Sequence, residues 1–171
     1  AFWFPWLYAV AQVMLFRAPV RGTLRAVVDA WYVHGIYGLW FVPVGLAVIY
    51  YLLPKILGQP IGRYYLAPLA FWWFVVSTAF ASGVRLIGAP VPVWISTLGI
   101  VANFALVLPL LVFGFNFLGA LAGRWNAALG SLSLRFVLVS IASLFLGAAL
   151  SLLLSIRDFL HEGNGDIWLN A

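Results

Sequence analysis

Cysteine is missing altogether from this chain, which excludes disulfides, thiolate metal ligands and cysteine-held clusters. Charge is almost as scarce. Charged residues make up 8% of the 171 residues, against roughly 25% in ordinary soluble domains, so a water-facing surface cannot be assembled from them. Acids are rarest: Asp29, Asp158, Glu162 and Asp166 are all there are, and none falls inside an apolar run. Paired-carboxylate catalysis and proton relays through acids are thereby excluded within such runs. Gly-rich phosphate loops are absent. Only His34 and His161 are available to activate a serine nucleophile, and neither stands in a motif that would do so.

What is present is apolar: 65% of residues are hydrophobic and 18% aromatic. The net charge of +5 comes from Lys and Arg placed singly at the ends of apolar runs, where they anchor helices at lipid headgroups. No basic cluster with interleaved aromatics exists, so the expected partner is the lipid bilayer and not nucleic acid. A span needs about 20 apolar residues, and five segments approach or meet that length: residues 1–16, 30–53, 66–83, 94–121 and 134–156. They predict an all-α fold, a polytopic transmembrane helix bundle forming a single domain, with a polar tail over 157–171. The opening "AFWFPWLY" has neither an initiator Met nor a basic stretch. It reads as the interior of a span and not as a signal peptide, with further residues expected upstream.

The connections are short and carry Pro, Gly and basic residues. One membrane face collects Arg17, Arg21, Arg25, Arg85 and Arg157 together with all four acids; the other collects Lys55, Arg63, Arg124 and Arg135. Counting basic residues leaves the orientation balanced. Trp and Tyr near the span ends form an interfacial belt. The last span carries Ser143, Gly147, Ser151 and Ser155 at intervals of four, which lines one face with small side chains and invites close approach of another helix. Asn103 and Asn116, in the fourth span, are suited to interhelical hydrogen bonds.

His34 stands out in "WYVHGIYGLWF" because all its neighbours are apolar, aromatic or Gly. Two readings are open from the residues. The imidazole is a metal or haem ligand, or it is a neutral side chain bonded to a backbone carbonyl or to a Ser, Thr or Asn of a neighbouring helix. Spacing alone favours the second.

The stretch "DAWYVHGIYGLWFVPVGLAVIYYLLPK", residues 29–55, resembles the sixth helix of the catalytic subunit of C-family haem–copper oxidases, the cbb-type cytochrome c oxidases. Trp31, Tyr32, His34, Tyr50, Tyr51, Pro54 and Lys55 carry the likeness. "GQPIGRYYLAPLAFW", "APVPVWISTLGIV" and "LRFVLVSIASLF" extend it over most of the chain, equivalent to helices five to nine of twelve. The resemblance implies that His34 matches one of three histidines holding the active-site copper. The other two fall at Val84 and Arg85, and a tyrosine linked to a copper ligand falls at Thr78. A lone imidazole beside a permanent cation is no copper site, so no catalytic residue and no metal site are expected, and His34 is read as a remnant ligand position. No cofactor is expected within this chain; the family's haem ligands match segments outside it, which leaves haem open there and in partner subunits.

The resulting expectation is a non-catalytic, haem–copper-oxidase-like integral membrane subunit of a respiratory or photosynthetic electron-transfer complex. It would anchor or bridge other membrane subunits in the bacterial inner membrane, with the Lys55 and Arg63 loop cytoplasmic. The alternative is a fragment of an active terminal oxidase or nitric oxide reductase catalytic subunit.

Overall fold

The computed structural model describes residues 3–17 and 21–161. The expected polar tail lies outside these residues, save for helical backbone that continues to His161. The described residues are helices and short connections, without strands. In order, they are α1 (Trp3–Ala11) running into a π-helical turn (Gln12–Arg17), α2 (Thr23–Gly35), a π segment (Ile36–Phe41), α3 (Val42–Leu57), α4 (Leu66–Ala81), a 3-10 turn (Ser82–Leu86), α5 (Val93–Ala105), α6 (Val107–Leu121), the short α7 (Trp125–Gly130) and α8 (Leu132–His161). Four helical stretches are long and apolar enough to cross a membrane: Thr23–Leu57, Leu66–Leu86, Val93–Leu121 and Leu132–Ile156. The expected span over 1–16 appears as nine residues of α-helix and six of π-helix.

The helical stretch that contains the expected span over 30–53 begins at Thr23. The break that matters is Gly22, whose φ of 68° is readily reached only by glycine. Beyond it, nothing in "TLRAVVDA" interrupts a helix, and Arg25 can reach outward along its stem. The same span widens at Ile36–Phe41. Pro43 has no N–H to donate to the carbonyl four residues back, and the N–H of Val42 reaches the carbonyl of Tyr37, five residues away.

Proline breaks the fourth span in the same way, and a neighbouring helix repairs it. Pro109, near the start of α6, cannot donate to the Ala105 carbonyl. The Trp73 indole N–H of α4 donates to that carbonyl instead, at 2.9 Å. Inside a bilayer, a backbone group freed by proline needs such a substitute. At the end of α3, Gly58 turns the chain with φ 67°, and Arg124 donates to the Leu57 carbonyl at 2.8 Å. A cation at a helix C-terminus meets both the orphan carbonyl and the negative end of the helix dipole.

The core lies where α3, α4, α6 and α8 meet. Leu53, Phe74, Phe113, Phe117, Leu134 and Ile141 form its centre. Tyr50 stands among these rings, 5.0 Å from Phe117 between centroids, and its hydroxyl accepts from Asn116 Nδ2 at 2.9 Å. The other half of the bundle, where α1, α2, α4, α5 and the 3-10 turn pack together, contains His34.

Candidate functional site

His34 is the penultimate residue of α2, directly before the π segment. Three glycines shape what surrounds it. A Cβ on Gly35 would stand 3.3 Å from Leu7 of α1. A Cβ on Gly38 would collide with the Thr78 methyl group and lie 3.9 Å from His34 Nε2. Only glycine at 38 lets α4 bring Thr78 up against the imidazole. The third is Gly83, in the turn that carries Val84 and Arg85. There the backbone touches α5 directly: a Cβ on Gly83 would lie 3.1 Å from the Gly99 Cα.

The structure therefore gathers the four positions singled out by sequence. Thr78 is buried beside His34, with 2% of its surface exposed. Val84 is half-buried, and Arg85 is exposed in the 3-10 turn that packs on α2. The Arg85 guanidinium lies within electrostatic reach of the His34 ring. Two polar atoms in this corner, His34 Nε2 and Thr78 Oγ1, are buried without a hydrogen-bond partner among the described residues. Each such group costs about 1–3 kcal/mol.

The donor set does not suit copper. It offers one imidazole nitrogen and one neutral hydroxyl; Val84 offers nothing, and Arg85 offers only cationic N–H groups. Among the described residues, no group of three or more His, Cys, Asp or Glu lies close enough to hold a metal ion.

The four small residues of α8 divide into two pairs. Asn103 of α5 donates through Nδ2 to Ser155 Oγ at 2.7 Å, to Ser151 Oγ at 3.1 Å and to the Ser151 carbonyl at 3.2 Å. Ser151 Oγ donates to Asn103 Oδ1 at 3.3 Å, and Ser155 Oγ to the Ser151 carbonyl at 3.0 Å. Ser143 and Gly147 are exposed, and a Cβ on Gly147 would meet nothing within 4 Å.

The sequence reading did not pick out Gly38, Gly83 or Gly99, whose bare backbones build the corner. Gly35 and Gly38, three apart in an apolar helix, carried a usable signal for close approach. The Gly83–Gly99 pair carried none, because nothing local links two glycines on different spans.

The sequence model for cytochrome c and quinol oxidase polypeptide I matches residues 1–164. The chain belongs to that family. Its relatives in the cytochrome c and quinol oxidase family include the cbb3-type cytochrome c oxidase subunit CcoN1 of Stutzerimonas stutzeri, 30% identical over 121 residues, which are 71% of this chain and 26% of that protein. The cytochrome c oxidase subunit 1 homolog (bacteroid) of Bradyrhizobium diazoefficiens is 31% identical over 71% of this chain and 22% of its own length. The cytochrome c oxidase subunit 1 of Rhodobacter capsulatus is 30% identical over 71% of this chain and 23% of its own length. The chain thus spans about a quarter of the length of the curated relatives it matches. It is an integral membrane member of the oxidase family with an all-α architecture.

Proposed function

We propose that this chain is a non-catalytic, haem–copper-oxidase-like membrane subunit that anchors or bridges partner subunits of a respiratory or photosynthetic electron-transfer complex. The observation that carries the reading is the composition of the His34 corner. A single imidazole faces Thr78 and a turn containing Val84 and Arg85, and none of these three neighbours is a copper ligand. His34 is then a remnant ligand position. The subunit contacts lipid along its exposed apolar faces and partners along the Ser143 and Gly147 face of α8. It sits in the bacterial inner membrane with the Lys55 and Arg63 loop cytoplasmic.

A second reading has its own support. The family match, together with coverage of only 26% of the Stutzerimonas subunit, suits a piece of an active terminal oxidase or nitric oxide reductase catalytic subunit whose other ligands come from another chain. Metal analysis and a haem spectrum of the purified complex separate the two. The first reading expects no copper bound at His34, and His34→Ala to leave both metal content and spectrum unchanged. Copper in a one-to-one ratio with a high-spin haem, lost in His34→Ala, would overturn it.

A further inference from the structure

An apolar groove of about 620 Å³ runs between α6 and α8. None of the residues of the His34 corner lines it, and it plays no part in the proposed function. Leu111 and Leu118 form one wall, Leu138 and Ala142 the other, and Trp125 stands at the mouth. At the deep end, Phe145 lies over Gly114: its ring would be 3.0 Å from a Cβ placed there. We infer that the groove holds one acyl chain of an anionic phospholipid.

Length argues for a lipid chain over a transmembrane helix. From Leu111 to Leu118, or from Leu138 to Phe145, the walls rise by only about 10 Å at 1.5 Å per residue. That is most of one leaflet's share of a hydrocarbon core about 30 Å thick. A helix would need a channel through both leaflets. The residues that line the groove extend only over Leu111–Leu118 and Leu138–Phe145, with Trp125 beside them, well short of that length.

Charge argues for an anionic headgroup. Arg135 lies on the stripe of α8 that includes Leu138, Ala142 and Phe145, one turn closer to the membrane end. Helical side chains lean toward the N-terminus, so the guanidinium extends outward past the groove's mouth. Arg135 is exposed, and the described residues of that end bring no carboxylate to it. Arg124 at the same end is already bonded to the Leu57 carbonyl, and Lys55 leans on Tyr51 at 3.3 Å. Arg63 is in the turn between α3 and α4, on neither of the two helices that line the groove, so Arg135 is the cation on the groove's own wall helix. Trp125, 46% exposed, presents an amphipathic ring at headgroup level, as such residues do at interfaces.

The test uses the intact complex, stripped of lipid in detergent and then offered phosphatidylglycerol or phosphatidylcholine of matched chains, with bound lipid read by native mass spectrometry. Wild type should retain phosphatidylglycerol in preference. Ala142→Trp fills the groove and should lower retention of both lipids at least tenfold. Arg135→Gln leaves the groove open and should reduce the preference for phosphatidylglycerol about fivefold, the effect of one basic residue near an anionic surface. Equal retention of the two lipids by wild type, or unchanged binding in both variants, overturns the assignment. A photoreactive residue in place of Leu118 gives a direct readout: a lipid adduct supports the groove's occupant, and a peptide adduct shows that a protein helix fills it.

Discussion

Asn103 on α5 reaches three acceptors on α8, whereas His34 Nε2 on α2 and Thr78 Oγ1 on α4 reach none. Both places are polar islands in apolar helices, and both join helices distant in sequence. The Asn103 cluster is a fastening, in which amide and hydroxyls each donate and each accept. The His34 corner is held together by shape, through Gly35, Gly38 and the Gly83–Gly99 contact, while its polar atoms oppose it. The amide of Asn103 has both its Nδ2 and its Oδ1 paired, whereas Asn116 pairs only its Nδ2, with Tyr50, and leaves its Oδ1 buried without a partner among the described residues. A ring nitrogen and a hydroxyl without partners among the described residues are what the loss of a ligand set leaves behind under the proposed reading.

The strongest way to break this contrast is to remove the shape that holds the weaker side. Gly99→Val would drive a side chain into the backbone at Gly83 and Val84. The expected cost is about 3 kcal/mol, the upper end of overpacking penalties, seen as loss of assembled complex on size-exclusion chromatography. Next comes Gly147→Leu. Among the described residues, nothing lies within 4 Å of a Cβ placed there, so the isolated subunit should keep its stability. If a partner helix lies on this face, assembly should weaken by about 2 kcal/mol; normal assembly would show that the face meets lipid.

The fastening itself is tested by Asn103→Ala, with an expected loss of about 1.5 kcal/mol in unfolding titrations. A double-mutant cycle with Ser155→Ala should give a coupling of about 0.6 kcal/mol, the usual size for interhelical bonds in membranes. A coupling near zero would mean that the pair is not a unit. The smallest effect belongs to the other side of the comparison. Thr78→Val keeps the shape and removes a hydroxyl that has no partner, so stability should be unchanged or rise by up to about 1 kcal/mol. A clear loss would show that Thr78 has a partner in the assembled complex, and the contrast drawn with the Asn103 cluster would fail.

Much of the architecture was legible because bilayer length is a strict ruler. The apolar runs over 66–83, 94–121 and 134–156 differ from the observed spans at most ends by only a few residues. Asn103 was legible as an interhelical donor because an amide in such surroundings needs a partner. The helical start at Thr23 was not legible, because Gly22 and the arginines around it look like a loop. Facing was the hardest property to read. In a helix that is apolar all round, hydrophobic periodicity does not separate lipid from protein, so the stripe at Ser143, Gly147, Ser151 and Ser155 gave no sign that its two halves differ. The corner at His34 was legible only as four positions along the chain; of the glycines that bring them together, Gly35 and Gly38 carried a signal in their spacing, and Gly83 and Gly99, on different helices, carried none.

The contact between Gly83 and Gly99 also has a mechanical consequence. Where side chains intervene, a change of rotamer can absorb a small displacement. Here backbone meets backbone, and a close-packed contact transmits strain. The outer face of α5, with Leu98 and Val101 exposed, therefore acts as one end of a stiff lever whose other end is the turn bearing Arg85. A sideways push on that face passes through this contact to the backbone of the turn that bears Arg85.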